Sequence, residues 1–335
     1  MSTKQYIFAA LLIILLSAGI SLKSALAQNN SECGSLTNIW DKDEITIVVT
    51  DSGLGGLSVL NDIAHKIEDS GIFKKVDLIF VNALFDTDSG YNSLHNREEK
   101  ITRLNAVLEG IDERFHPDMI FIACNTLSVI YTETEFIKTC ATPVIGIVEP
   151  GVKLILEKMN DKRNSRVIIF GTETTIAEAS HKQTLIKLGI DPARIITKEC
   201  PQLQAYIEQN PFGEETELLI SLYLEEALSD NNNYNGTTFI SLNCSHFGYS
   251  IELWENAISN VHLNSSELLN PNTIMGDILI SEKQINRFAL TEVTYDVVSK
   301  VIILNNVTIS NTFLENSPEL AAALINYTID PNLFK

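Results

Sequence analysis

Short apolar runs rich in β-branched residues recur along this chain, and helix-patterned segments separate them. The runs are "ITIVVTD" (45–51), "VDLIFVN" (76–82), "PDMIFIAC" (117–124), "ATPVIGIVE" (141–149), "SRVIIFGTE" (165–173) and "TTFISLNC" (237–244). Branching at Cβ stiffens the side chain and favours pleated strands. Near-continuous apolar character suits strands covered on both faces. Between the runs, "VLNDIAHKIED", "REEKITRLNAVLEGIDERF" (97–115) and "GVKLILEKMN" place apolar residues three and four apart, as amphipathic helices do. This alternation predicts an α/β fold, with helices packed on mostly parallel sheets. Such sheets bind ligands at the carboxyl ends of their strands.

The expected strand ends carry small polar or reactive residues: Asp51, Cys124, Glu149, Thr172 and Cys244. Two of them share a pattern. "IFIACNTLS" and "FISLNCSHF" both run from an apolar strand into a cysteine beside amide and hydroxyl residues. Two similar α/β halves facing each other would place these ends across one cleft.

The chain has 335 residues, enough for one large or two medium domains. Its formal net charge of −19 argues against a nucleic-acid partner, which needs clustered Lys and Arg. It argues equally against electrostatic docking on anionic lipid. A small anionic substrate remains open, because a few backbone N–H groups can hold a carboxylate inside an acidic protein.

Residues 1–27 read as a secretory signal peptide. Lys4 precedes the apolar run Ile7–Ile20, and Ala25-Leu26-Ala27 forms an A-x-A-like cleavage site. The run is short for a membrane span, so an uncleaved anchor is the secondary reading. Cleavage would leave an exported, periplasmic protein with no integral membrane span. Residues 28–44 are polar and read as a flexible lead-in. The cysteines are Cys33, Cys124, Cys140, Cys200 and Cys244, an odd number with no C-x-x-C pair. Neither a zinc cluster nor a thioredoxin motif is supported. Cys33, Cys140 and Cys200 read as structural, or as a disulfide that the sequence does not place.

Three motifs carry chemistry. "DSGLGGLSVL" (51–60) has G-x-G-G, not the dinucleotide pattern G-x-G-x-x-G. Its glycines permit a tight turn and close backbone approach. "IACNTLS" (122–128) sets Cys124 at a strand end, with Asn125 and Thr126 able to hold a carboxylate. Taken alone, Cys124 reads equally as a small buried core residue. "NCSHF" (243–247) puts His246 close enough to influence Cys244. As a metal site it lacks two further ligands at short spacing. As a Cys–His hydrolase it would leave Cys124 and Asp51 idle.

Taken together and in order, "VTDSGLGGLSVL", "FIACNTLS", "TPVIGIVEPG", "IIFGTETTI" and "LNCSHF" resemble the aspartate/glutamate racemase family, and within it the glutamate racemases. The resemblance covers roughly 45–290. It implies two pseudo-symmetric three-layer α/β domains with the active site in the cleft between them. The expected division is 45–142 plus 259–330 for the first domain and 143–258 for the second. It implies an amino-acid racemase that needs neither pyridoxal phosphate nor metal, with no cofactor. Cys124 and Cys244 would face Cα from opposite sides, one as base and one as acid. Asp51 would tune Cys124 and His246 would tune Cys244. Ser52, Asn125, Thr126 and Ser245 match substrate-binding positions, and Glu149 and Thr175 match further recurrent polar positions.

One departure bears on the substrate. A gap-free alignment puts Asp88-Ser89-Gly90 where the family has Pro-Tyr-Gly. Gly90 keeps a backbone donor, Ser89 cannot fill a tyrosine's space, and Asp88 would repel a second carboxylate. Glutamate leads, with aspartate or another amino acid as alternatives. Another isomerase of the superfamily, or an exported two-lobed solute-binding protein, are the rival readings. Oligomeric state stays open, and a homodimer is compatible with it. The segment after residue 299 reads as a strand or hairpin followed by a helix.

Overall fold

A computed structural model describes residues 36–87, 90–94, 96–229 and 234–335. The expected signal peptide, Cys33, Asp88 and Ser89 lie outside the described residues.

Among the described residues, ten strands form two wholly parallel sheets, as the alternating pattern predicts. The first sheet contains β1 (Glu44–Asp51), β2 (Lys75–Asn82), β3 (Met119–Ile122), β4 (Val144–Gly146), β9 (Glu292–Ser299) and β10 (Thr328–Ile329). Their order is β10-β9-β2-β1-β3-β4. The second contains β5 (Ser165–Gly171), β6 (Ile195–Glu199), β7 (Thr237–Asn243) and β8 (Ser265–Leu269), in the order β6-β5-β7-β8. Central strands are buried nearly throughout, which is why they read as continuous apolar runs.

The three strongest helical patterns become the helices Gly56–Ser70, Arg97–Phe115 and Val148–Asp161. Asn96 caps the second of these, its side chain accepting from the Glu98 N–H. Asp or Glu residues lie in the first turn of the last two, where they complement the helix dipole.

Four boundaries differ from expectation. The run at 141–149 is a strand only over Val144–Gly146. A helix starts at Val148, so Glu149 sits in a helical first turn instead of at a strand end. β6 and β8 are short, partly exposed edge strands whose mixed polarity hides them in the sequence. β8 pairs with β7, so the second sheet extends into the segment assigned to the first domain. The late strand is "EVTYDVVS", not the stretch after residue 299, where Ile302 and Leu304 are exposed.

The two sheets share one apolar core on one side of the molecule. It includes Leu54 and Leu57 from the first unit and Phe170, Phe247 and Trp254 from the second. The Phe170 and Trp254 rings lie 4.9 Å apart, and the Tyr249 hydroxyl donates to the Leu54 carbonyl at 2.8 Å. The glycine turn before Gly56–Ser70 enters this seam. A Cβ built on Gly55 would lie 2.6 Å from the His246 backbone nitrogen, and one on Gly53 2.8 Å from the His246 ring. Here the glycines serve close approach.

Gly55→Ala is therefore expected to cost about 1–3 kcal/mol through overpacking at the seam. Urea unfolding measures this. A variant as stable as the parent would show that the seam yields freely.

Candidate active site

Parallel strands deliver their carboxyl ends to one side of each sheet. β1 ends at Asp51, followed by Ser52. β3 leads to Cys124, just before the short helix Asn125–Ser128. β5 leads to Thr172, and β7 to Cys244, followed by the tight turn Ser245–Ser250. All of Asp51, Ser52, Cys124, Asn125, Thr126, Thr172, Cys244, Ser245 and His246 line one cleft of about 470 Å³. Gly90, Tyr91, Asn92, Ser93, Glu173, Gln202, Gln204 and Ala205 complete its lining.

Polar contacts cross the seam at the cleft floor. The Ser245 hydroxyl donates to Asp51 Oδ2 at 2.6 Å. The hydroxyls of Thr126 and Thr172 lie 2.9 Å apart. Within the first unit, Ser52 Oγ is 3.0 Å from Cys124 Sγ.

The two thiols have different neighbours. Cys124 is buried beside Asp51, and burial and the Asp51 charge both push its pKa up, so it is a thiol at neutral pH. Burial raises Asp51 to about 6, even though His246 and Ser245 pull the other way. Cys244 Sγ lies 3.9 Å from His246 Nδ1. His246 Nε2 lies 2.7 Å from Glu208 Oε2. Burial opposes the imidazolium, but the hydrogen bonds to Cys244 and Glu208 and the Glu208 charge hold its pKa well above the usual range. Glu208 is held below its usual range, because bonds from His246 and the Leu54 N–H outweigh burial.

The structure thus brings together Cys124, Cys244, Asp51, His246, Ser52, Gly90, Asn125, Thr126 and Ser245. Ser89 lies outside the described residues. Thr175 stands behind the wall, its hydroxyl 3.0 Å from that of Thr172. Glu149 is elsewhere, lining an outer groove with Pro150, Lys153 and Ile274. Sequence reading missed Glu208. It is a single carboxylate on the short helix Leu203–Gln209, 38 positions before the histidine it orients, and no local motif marks it. Cys140 is disulfide-bonded, whereas Cys124, Cys200 and Cys244 are free thiols. Among the described residues, no cluster of three or more His, Cys, Asp or Glu could hold a metal.

Among the described residues, several buried polar atoms without protein partners belong to residues that line the cleft. They include Tyr91 Oη, Asn92 Oδ1, both amide atoms of Asn125, Glu173 Oε2 and Gln204 Oε1. A buried orphan group costs about 1–3 kcal/mol, so such a group is kept where a ligand completes it.

The raised Asp51 pKa fixes a pH effect. Between pH 3.8 and about 6 the folded chain holds a proton that the unfolded chain has released. This group's contribution therefore falls as pH rises through that window and stays low above it. Relative to the parent, Asp51→Asn should gain up to about 3 kcal/mol between pH 4 and pH 7. Urea unfolding across that range tests this, and a pH-independent difference contradicts it.

No known family profile matches the chain. Individual relatives do. The chain is 30% identical to a glutamate racemase of a Sulfurihydrogenibium species over 224 residues, 65% of this chain and 76% of the relative. It is 30% identical to that of Aquifex pyrophilus over 181 residues, 54% of this chain and 65% of the relative. A solved glutamate racemase of Francisella tularensis in complex with D-glutamate shares the fold, with a TM-score of 0.61 at 20% identity. That match covers 86% of this chain and 96% of the other. The solved Aquifex pyrophilus glutamate racemase gives 0.57 at 21% identity. With a relative at 30% identity matched over three quarters of its length, and with this fold, the chain belongs to the glutamate racemase family.

Proposed function

We propose that the chain is a cofactor-independent amino-acid racemase acting on glutamate, with Cys124 and Cys244 as the acid–base pair. One observation carries the reading. Two free thiols, one from each sheet, line the same cleft, and each has its own polar partner.

Inversion at carbon needs a base on one face of Cα and an acid on the other. A single group doing both would tend to return the proton to the face it came from. With substrate bound between the units, Cys244 removes the α-proton while the protonated Cys124 delivers one to the opposite face. Cys244 acts as a thiolate facing the His246 imidazolium, which Glu208 holds. Cys244 becomes a neutral thiol on taking the proton, and Cys124 is left as the thiolate. In the reverse direction Cys124 must first lose its proton, and Asp51 is the base beside it. Asn125 and the Thr126 hydroxyl offer donors to the substrate carboxylate, where negative charge spreads as the carbanion forms. Closure of the cleft strengthens these interactions by excluding water.

Because the equilibrium constant of a racemisation is one, any variant must lose kcat/KM equally in both directions. Cys124→Ala and Cys244→Ala should each cut racemisation of L- and D-glutamate by about 10²–10⁴-fold, the usual worth of a positioned proton-transfer group. Circular dichroism of the substrate follows this directly. Normal rates in both variants would refute the two-thiol reading.

In the wild type, kcat/KM should fall as pH drops below about 6. Asp51 then carries a proton and no longer accepts one from Cys124. His246 stays charged through this range and does not contribute to the limb. A pH profile flat down to pH 5 would remove Asp51 from the mechanism.

A further inference from the structure

Among the described residues, the cleft walls carry two carboxylates, Asp51 and Glu173, and no lysine or arginine. A substrate with a second carboxylate would enter a field that is already negative. The one cationic group among the lining residues, His246, is already paired with the Glu208 carboxylate and faces Cys244, so a further cation near the cleft is needed to offset Glu173.

Lys100 stands one layer behind the wall. It lies on the helix Arg97–Phe115 of the first unit and is only 9% exposed. Its Nζ donates across the seam to Thr174 Oγ1 at 2.8 Å, and Thr174 directly follows Glu173. A lysine ammonium has three donors, and Thr174 takes one. Among the described residues, Glu173 Oε2 is buried and has no hydrogen-bond partner. Burial works against the charge on Lys100, while Glu178 and Glu173 act to retain it.

The neighbouring cation is already committed. Arg97 donates twice to Glu133, both bonds at 2.6 Å, and reaches Glu178 at 2.8 Å. It pairs with Glu178 directly, while Lys100 feels the charge of both Glu178 and Glu173. A buried, singly bonded lysine is costly for stability, since an apolar side chain of the same length would avoid the desolvation. Its placement beside a cleft-lining carboxylate gives that cost a use.

We infer that Lys100 is a specificity-determining residue, whose ammonium compensates Glu173 from behind so that a substrate with a side-chain carboxylate is admitted. The inference rests on the racemase reading for its substrate, yet its test does not depend on turnover. Calorimetric affinities for glutamate and for neutral glutamine are measured on the full chain and on Lys100→Met, Lys100→Arg, Glu173→Gln and the Lys100→Met/Glu173→Gln double variant.

Lys100→Met should weaken glutamate binding about tenfold or more and leave glutamine unchanged, as loss of one charge near a water-poor cleft requires. Glu173→Gln should tighten glutamate binding. The double variant should return close to the parent, and Lys100→Arg should retain it. Thermal unfolding of each variant accompanies the affinities. Equal weakening for glutamate and glutamine in Lys100→Met, or no recovery in the double variant, would reduce Lys100 to a structural part and overturn the inference. A parent that binds glutamate selectively but fails to racemise it would refute the racemase reading alone.

Discussion

The structure depends on how closely two backbones meet at the cleft floor. Glycines at 53 and 55 leave no side chain between the turn after β1 and the turn after β7. Only that approach lets Ser245 reach Asp51 at 2.6 Å and lets Glu208 grip both the Leu54 N–H and the His246 ring. A Cβ in this seam would separate the groups that tune the two thiols. The glycines of "DSGLGGLSVL" thus serve as a packing device between the two units.

The seam is built unevenly. On one side the units fuse through a common apolar core around Phe170, Phe247 and Trp254. Elsewhere the contacts between them include polar ones: Thr126 with Thr172, Lys100 with Thr174, and Arg97 with Glu178. Apolar burial is non-directional and holds firmly, whereas the exposed Arg97–Glu178 ion pair contributes little net stability.

Much of this was legible in the sequence, for a physical reason. Buried parallel strands must be apolar along their whole length, so β1, β2, β3, β5 and β7 announce themselves. The residues at their ends then fall at one edge of each sheet, and Asp51, Cys124, Cys244 and His246 could be read as one group. What stayed hidden has equally physical causes. β6 and β8 are partly exposed edges with no clear period. Glu208 works through the tertiary fold and leaves no local trace. Glu149 was misplaced because the run containing it breaks into a three-residue strand and a helix. Lys100 looked like any charge on an amphipathic helix, since burial against another unit cannot be seen from helical spacing.

The central claim is that two different sulfurs serve the two faces of Cα. Its most direct test is the fate of the α-hydrogen when pure L-glutamate is turned over in D₂O. The account predicts that the first D-glutamate formed carries deuterium at Cα, while the unreacted L-glutamate keeps its protium. Early D-glutamate that retains the original protium would mean that one group carries the proton across, and would contradict the account.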